Sequence, residues 1–428
     1  MGDTRLQKKP RVFYGYWIVL VAFLCLFVLS GCGWYAFSLF VKPLEAELGW
    51  SRGEIMTGFT TLFLTIAMIS PFIGRVVDRY GAKKIIVTGA LIAGLGFTFL
   101  SLINHVWQFY LCYIIIGIGL AAMGQVPVSA IVSNWFHKKR GLAIGIMSIG
   151  VGGGGFALAP LVGGYLIPNF GWRPSYLALA IITWVLVIPL ALLVIKEKPE
   201  DMGLYADGIE HSRTEVIANI SPSISDSLTL KMALATSTFW LISISFFTST
   251  FSCVGSIQSQ SPHLQDIGFP IATAATALGA VGLASAIGKF SFGWVCDRIP
   301  PKYACAIGLG FQLGGIMILI NIEPTSPSAI IWLYAIMAGL GSGSWLPTMS
   351  MLTSTSFGLA SYGAIFGIVS LFQCTGSATG PFMAGYLYDI MKTYHWAFVI
   401  FISLYSVALP SVLLIRRPRT RARLKAAK

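Results

Sequence analysis

Long apolar runs and short polar breaks alternate from one end of this chain to the other. Twelve runs are long enough to cross a bilayer, which takes about 20 residues of helix. They are 16–41, 54–77, 85–104, 107–133, 141–167, 173–195, 236–259, 271–296, 303–322, 328–355, 361–388 and 395–415. Runs this continuous predict helices, because lipid leaves every backbone polar group to be satisfied within the segment. One long polar stretch interrupts the series, from Lys196 to Lys231. Rich in Glu, Asp, Ser and Pro and without periodicity, it reads as a linker. The expected organisation is an all-α membrane protein of two six-helix bundles: residues 1–195, a cytoplasmic linker over 196–231, and residues 232–428 ending in a basic cytoplasmic tail.

The two parts echo each other. Between the second and third runs stands Gly74-Arg75-Val76-Val77-Asp78-Arg79-Tyr80-Gly81-Ala82-Lys83-Lys84, and a weaker copy, Gly293-Trp294-Val295-Cys296-Asp297-Arg298-Ile299-Pro300-Pro301-Lys302, follows 219 residues later. In the fifth and eleventh runs, Gly155-x4-Pro160-x3-Gly164-Tyr165 matches Gly376-x4-Pro381-x3-Gly385-Tyr386 at an offset of 221. Two landmarks sharing nearly one offset indicate duplication. Related halves with a site between them near the midplane are how many alternating-access carriers are built.

Composition excludes the main rivals. The 428 residues are 56% hydrophobic and 11% charged, whereas soluble domains carry about 25% charged residues. The net charge of +13 raises nucleic acid as a partner, but its distribution argues against one. With both termini cytoplasmic, every Lys and Arg except Lys42, Arg52, Arg173, Lys392 and Lys289 falls inside or at inner helix ends, which is the positive-inside rule. The expected place is the cell (inner) membrane, multi-pass, with the tail from Arg416 to Lys428 anchoring at anionic headgroups. The first run follows a basic head and is too long for a cleavable signal. Seven cysteines, each alone in an apolar segment, have neither disulfide nor metal spacing and read as small packing residues. No HExxH, GxSxG or paired intramembrane carboxylates appear, so neither an enzyme nor a metal or cofactor is expected.

The eleven-residue turn resembles the cytoplasmic signature of the major facilitator superfamily, its second copy having Pro300 where a glycine is usual. Asn134-Trp135-Phe136-His137-Lys138-Lys139-Arg140-Gly141-Leu142-Ala143-Ile144-Gly145-Ile146 resembles the fifth-helix signature of the monocarboxylate porters. Tyr14-Gly15-Tyr16-Trp17 is a looser match to their first-helix signature. Gly171-Trp172-Arg173 and the segment from Tyr362-Gly363 through Gly380-Pro381 to Asp389 are similar to that group and to the oxalate–formate exchangers. The resemblance implies a carrier of small carboxylates. It departs at three places. Tyr35 stands where animal monocarboxylate porters have a first-helix lysine, Ser285 where they keep an acidic residue, and Tyr113 where the superfamily often has arginine.

Lys289 is the most informative single residue, the only Lys or Arg well inside a run. A cation there costs roughly 3 kcal/mol on insertion scales and usually marks a substrate path. Snorkelling to the inner interface is the plainer account. Gly288-Lys289-x3-Gly293-x3-Asp297 resembles the eighth-helix pattern in which monocarboxylate porters place a substrate-binding arginine, which implies the same role here. Tyr35, Gln125, Thr248, Trp345 and Gln373 lie near the centres of their runs and complete the expected substrate site. Each alone fits a helix–helix hydrogen bond better than a ligand contact, and together they suit a small carboxylate with an apolar tail. Gly74, Asp78, Arg79, Gly81, Lys83, Asp297 and Arg298 are expected to gate, with Asp78 meeting the positive N-terminus of another helix. The G-x-G-x-x-G at Gly150, Gly152 and Gly155 lacks the strand a nucleotide site needs and reads as a hinge or packing face.

The sequence thus points to a monomeric secondary transporter of small monocarboxylates, lactate- or pyruvate-like, coupled to protons. Two readings stand beside it: an organic-anion exchanger of the oxalate–formate kind, and a carboxylate-sensing receptor that does not transport. With no carboxylate near the midplane, Lys289 itself is expected to carry the proton.

Overall fold

The computed structural model describes residues 13–136, 140–205, 228–358 and 362–416; the side chains at 78, 140, 141 and 362–364 are not among those described. His137, Lys138 and Lys139 of the fifth-helix signature, most of the polar linker and most of the basic tail therefore lie outside the described residues.

The chain is all helical, with no strand among the described residues. Among the described residues, eleven helices are long and apolar enough to cross a membrane: α1 Gly15–Leu48, α2 Arg52–Tyr80, α3 Ala82–Leu100, α4 Val106–Trp135, α5 Leu142–Phe170, α6 Trp172–Val194, α7 Ser237–Asp266, α8 Ile271–Cys296, α9 Pro301–Ile320, α10 Ser328–Phe357 and α12 His395–Leu413. Between the last two runs α11, Tyr362–Met391, a 30-residue helix. Most ends fall within a few residues of the apolar runs. The exceptions are α1 and α7, which continue seven residues past the runs 16–41 and 236–259. Those extra turns carry Lys42, Glu45 and Glu47 on α1 and Gln260, His263 and Asp266 on α7. Polar side chains end a hydropathy signal without ending a helix.

Local chemistry sets the turns. Gly49 stops α1 in the left-handed region at φ +68°. Ser51 then opens α2 with a capping box, accepting from the Glu54 amide while Glu54 accepts from the Ser51 amide. At the far end Gly81 takes φ +85°, and a Cβ there would meet the Glu197 carboxylate. That carboxylate accepts from the amides of Ala82 and Lys83 and so caps α3.

Two bundles form, and their packing repeats. In the first, α1 packs on α5, α2 on α4, and α3 on α4 and α6; in the second, α7 packs on α11, α8 on α10, and α9 on α10 and α12. The bundles meet along two antiparallel pairs, α5 against α8 and α2 against α11. The face carrying Arg75, Arg79, Lys83, Lys84, Arg298 and Lys302 is called the basic face below, and the other the opposite face.

Four helices depart from regular α-helical geometry within their spans. A π-turn runs over Leu29–Tyr35 in α1 and another over Leu161–Leu166 in α5. The α-helical pattern of α4 breaks at Gly124 and that of α10 at Ser344, 220 residues apart. Such irregularities are enriched at functional sites, and in membranes broken helices are tolerated where they line a cavity or are covered by protein.

Candidate functional site

A cavity of about 290 Å³ lies between the bundles beside the α1 π-turn and the breaks in α4 and α10. Its walls are mainly apolar, among them Leu29, Phe63, Ile66, Leu120, Ile257 and Met349. Among the described residues, Lys289 is the only charged side chain on its lining. Around it stand Tyr35, Ser70, Gln125, Ser148, Ser285, Ser342 and Gln373, with Trp34 and Trp345. The α1 π-turn carries Trp34 and Tyr35, and Gln125 and Trp345 are the first residues after the breaks in α4 and α10.

Lys289 is half-buried, has no ion pair among the described residues, and donates to Ser285 Oγ at 3.4 Å, one turn before it on α8. Tyr35 of the first bundle and Ser285 of the second line the same cavity. The two positions that depart from the animal porters therefore share it with Lys289. Gln125 is exposed to the cavity and makes no hydrogen bond among the described residues. Gln373 donates to Ser377, and the indole N–H groups of Trp34 and Trp345 are buried without partners. A lone ammonium, a few hydroxyl and amide groups and broad apolar walls suit a small anion with an apolar body.

Five of the six expected substrate residues thus line one cavity: Lys289, Tyr35, Gln125, Trp345 and Gln373. Thr248 does not line it. Its hydroxyl turns back to the Ile244 and Ser245 carbonyls of its own helix, the common fate of a mid-helix threonine. Trp34, Ser70, Ser148 and Ser342 were not singled out from sequence. Ser70 had a signal, being the counterpart of Lys289 at the 219-residue offset.

The gating candidates are scattered in this conformation. Arg79 stacks on the neighbouring Tyr80, and Arg298, in the turn after α8, stacks on Trp294 of α8 at 3.6 Å. Asp297 caps α8. Lys83 donates to the Leu192 carbonyl at 2.6 Å, and Gly81 sits under Glu197, so both are tied within the first bundle. A Cβ at Gly74 would meet only Val126, at 3.8 Å, so the close helix approach expected of this glycine is not made here. The side chain of Asp78 lies outside the described residues.

The glycines of the G-x-G-x-x-G segment are a packing face. Gly150 and Gly154 lie against the Phe23 and Phe27 carbonyls of α1, Gly152 against Gly282 of α8, and Gly155 against the Tyr35 ring. No room is left there for a phosphate.

The chain matches the Major Facilitator Superfamily over residues 23–381. It belongs to that superfamily. Within it, the chain is 25% identical over 402 residues to monocarboxylate transporter 13 of Rattus norvegicus, covering 92% of this chain and 87% of that one. It is 22% identical over 388 residues to the oxalate:formate antiporter of Oxalobacter formigenes, covering 90% and 88%. It is 27% identical over 359 residues to the multidrug resistance protein MdtG of Dickeya zeae (strain Ech586), covering 81% of each. Among solved structures, a bacterial homolog of the human lysosomal transporter Spinster superposes with a TM-score of 0.70 at 18% identity over 95% of both chains. The nucleoside transporter NupG superposes at 0.70 with 11% identity over 94% of this chain and 99% of its own. This major facilitator is a multi-pass membrane transporter and not an enzyme.

Proposed function

We propose that this carrier moves small monocarboxylates, lactate- or pyruvate-like, together with protons, by alternating access, as a monomer in the cell membrane with the basic face cytoplasmic. The observation that carries the reading is Lys289, unpaired on the wall of an otherwise apolar cavity. A buried ammonium without a counter-ion is costly, and an entering carboxylate relieves that cost. Tyr35 and Gln125 offer donors to the rest of a small acid, and the aliphatic walls accept its tail. A neutral lysine that takes a proton with its anion, and gives up both together, avoids returning an unpaired charge across the membrane. The relatedness to monocarboxylate transporters supports the substrate class.

Uptake of labelled lactate and pyruvate into proteoliposomes tests the reading. Lys289→Ala should abolish saturable binding while the protein remains folded. Lys289→Arg, permanently charged, should still exchange but lose accumulation driven by a pH gradient. Undiminished affinity in the alanine variant would return Lys289 to a snorkelling role.

The likeness to an oxalate:formate antiporter favours organic-anion exchange as the second reading. An exchanger needs substrate on both sides of the membrane and ignores a pH gradient.

A further inference from the structure

Buried polar atoms without partners are not spread evenly through this protein. Among the described residues, eight buried side-chain nitrogens and oxygens have no hydrogen-bond partner. Six of them lie between the cavity and the opposite face: Trp34 Nε1, Ser38 Oγ, Gln258 Oε1, Ser259 Oγ, His263 Nε2 and Tyr394 Oη. A buried polar group left unpaired is costly, so this concentration needs a cause. Neighbouring groups of α7 that face elsewhere are satisfied. Gln260 accepts from the Tyr334 hydroxyl at 2.6 Å, and Ser245 donates to the Ala408 carbonyl at 3.2 Å.

The six follow the seam between α1 and α7. Gln258 donates to the Trp34 carbonyl at 3.1 Å, and eight residues further along both helices Lys42 meets Asp266. The two contacts share one offset, so the helices run side by side in parallel. Ser38, midway between Trp34 and Lys42, therefore stands level with the turn 259–262. His263 comes one turn after Ser259, and Asp266 one turn later. At its inner end the seam reaches the cavity, whose lining includes Trp34 and Ile257. At its outer end the His263 ring meets Tyr394 edge-on with centroids 6.2 Å apart, and the Arg52 guanidinium lies 5.3 Å from the centre of that same tyrosine ring. From Ile257 to His263 is about 9 Å along the helix. Each turn of the seam thus offers a water two partners: an indole N–H and an amide oxygen, then two hydroxyls, then an imidazole nitrogen and a phenol. Buried water needs roughly two to four.

We propose that this seam is a proton path: a file of waters held by these six groups, with His263 the relay that brings protons from the opposite face to Lys289 while the Arg52 fork onto Asp266 bars the anion. It rests on the proton-coupled reading above and adds the route. His263 Nε2 takes a proton from water at the opposite face onto its lone pair, and the imidazolium then returns a proton to the next water of the file. Lys289 Nζ takes one at the far end and becomes the ammonium. Nothing is oxidised or reduced, and His263 ends as it began. The other charged groups around the relay are engaged. Asp266, on its own helix, is bound by Arg52 of α2 and Lys42 of α1, and Glu45 of α1 also holds Arg52. On α11, Asp389 accepts from the amides of Arg52 and Gly53, and Tyr388 lies under the Arg52 guanidinium. Where α12 begins, His395 is exposed and turned to Trp396. His263, half-buried with its Nε2 free, is the one placed to pass a proton inward, and histidine recurs in intramembrane relays.

The test uses the full chain in proteoliposomes and takes two readings from each variant. One is uptake of labelled lactate driven by a pH gradient, acid outside. The other is exchange of labelled for unlabelled lactate at equal pH, which moves no net proton. His263→Gln keeps a polar side chain without the titration, and should cut gradient-driven uptake about tenfold or more while exchange stays near the parent's. Ser38→Ala combined with Ser259→Ala removes both hydroxyls of the middle turn and should cut uptake severalfold in the same selective way. Ser243→Ala is the control, an unpartnered α7 serine outside the seam, and should move neither reading. Gradient-driven uptake left intact by either seam variant, or uptake and exchange lost in equal measure, would overturn the proposal. If His263→Gln does not fold, the paired serine variant decides alone. A parent that ignores the gradient or does not carry lactate overturns the proton-coupled reading itself, and this route with it.

Discussion

The two faces of this carrier are held in contrasting ways. At the opposite face the bundles are joined by buried charge. Arg52, 1% exposed, bonds Glu45 of its own bundle and forks onto Asp266 of the other through Nη1 at 2.5 Å and Nη2 at 2.9 Å. Its guanidinium lies 3.7 Å from the centre of the Tyr388 ring, and Lys42 adds a second bond to Asp266. At the basic face, every described side-chain hydrogen bond stays within one bundle. Tyr14 reaches the Val194 carbonyl, Asn134 and Trp135 hold the carbonyls of Glu197 and Lys196, and Thr238 holds Arg416. The difference teaches where the energy of switching resides. On the alternating-access reading, one face has bonds that would break during the cycle, and the other has bonds that would travel with their bundle. Charge is therefore spent on closure at one end and on internal bracing at the other.

Substitutions can break this contrast in a graded order. Arg52→Ala should have the largest effect. It strips a buried guanidinium from two carboxylates, and breaking one side of such a cluster costs about 3–5 kcal/mol. Labelling by a water-soluble maleimide of a cysteine placed at Ser259, a fully buried residue of α7, should rise more than for any other single change, and a charge-keeping Arg52→Lys should recover only part of the loss because the fork and ring stacking are gone. Glu197→Gln comes next. Loss of a charged cap on α3 should lower stability by about 1 kcal/mol, visible as a lower melting temperature, with the labelling rate unchanged because both partners lie in one bundle. A changed rate there would erase the distinction between the faces. Lys42→Ala should be smallest. The lysine is partly exposed, so its pair with Asp266 is worth under about 1 kcal/mol and should fade in high salt.

Much of the fold could be read from the chain because bilayer thickness imposes itself on hydropathy. The twelve helices, the duplication and the placing of Lys289 follow from that constraint. What escaped the reading lies where the bilayer stops dictating. The last turns of α1 and α7 are polar, yet they stay helical because each faces protein. Asp389 and the amide of Arg52 are 337 residues apart, and nothing local marks them as partners. Thr248 had the same sequence credentials as Gln125, and rotation about the helix axis alone decided that one reaches the cavity and the other does not. Trp34 was hidden by the α1 π-turn, which adds a residue and turns the following side chains away from the face that a regular helix would present.

The broken helices α4 and α10 stand in equivalent places in the duplicated chain, yet one presents Gln125 and the other Trp345. Likewise Lys289 answers to Ser70. A gene copied head to tail starts with a binding chamber that looks the same from either half, and such a chamber cannot tell one end of a guest from the other. These unlike pairs break the mirror. On the proposed reading, an anion held at Lys289 would sit off the pseudo-twofold axis, against the second half, with its head and tail assigned before the bundles move. The guest would then ride with one half while the other swings past it, so the halves, alike in ancestry, would act as cradle and cover.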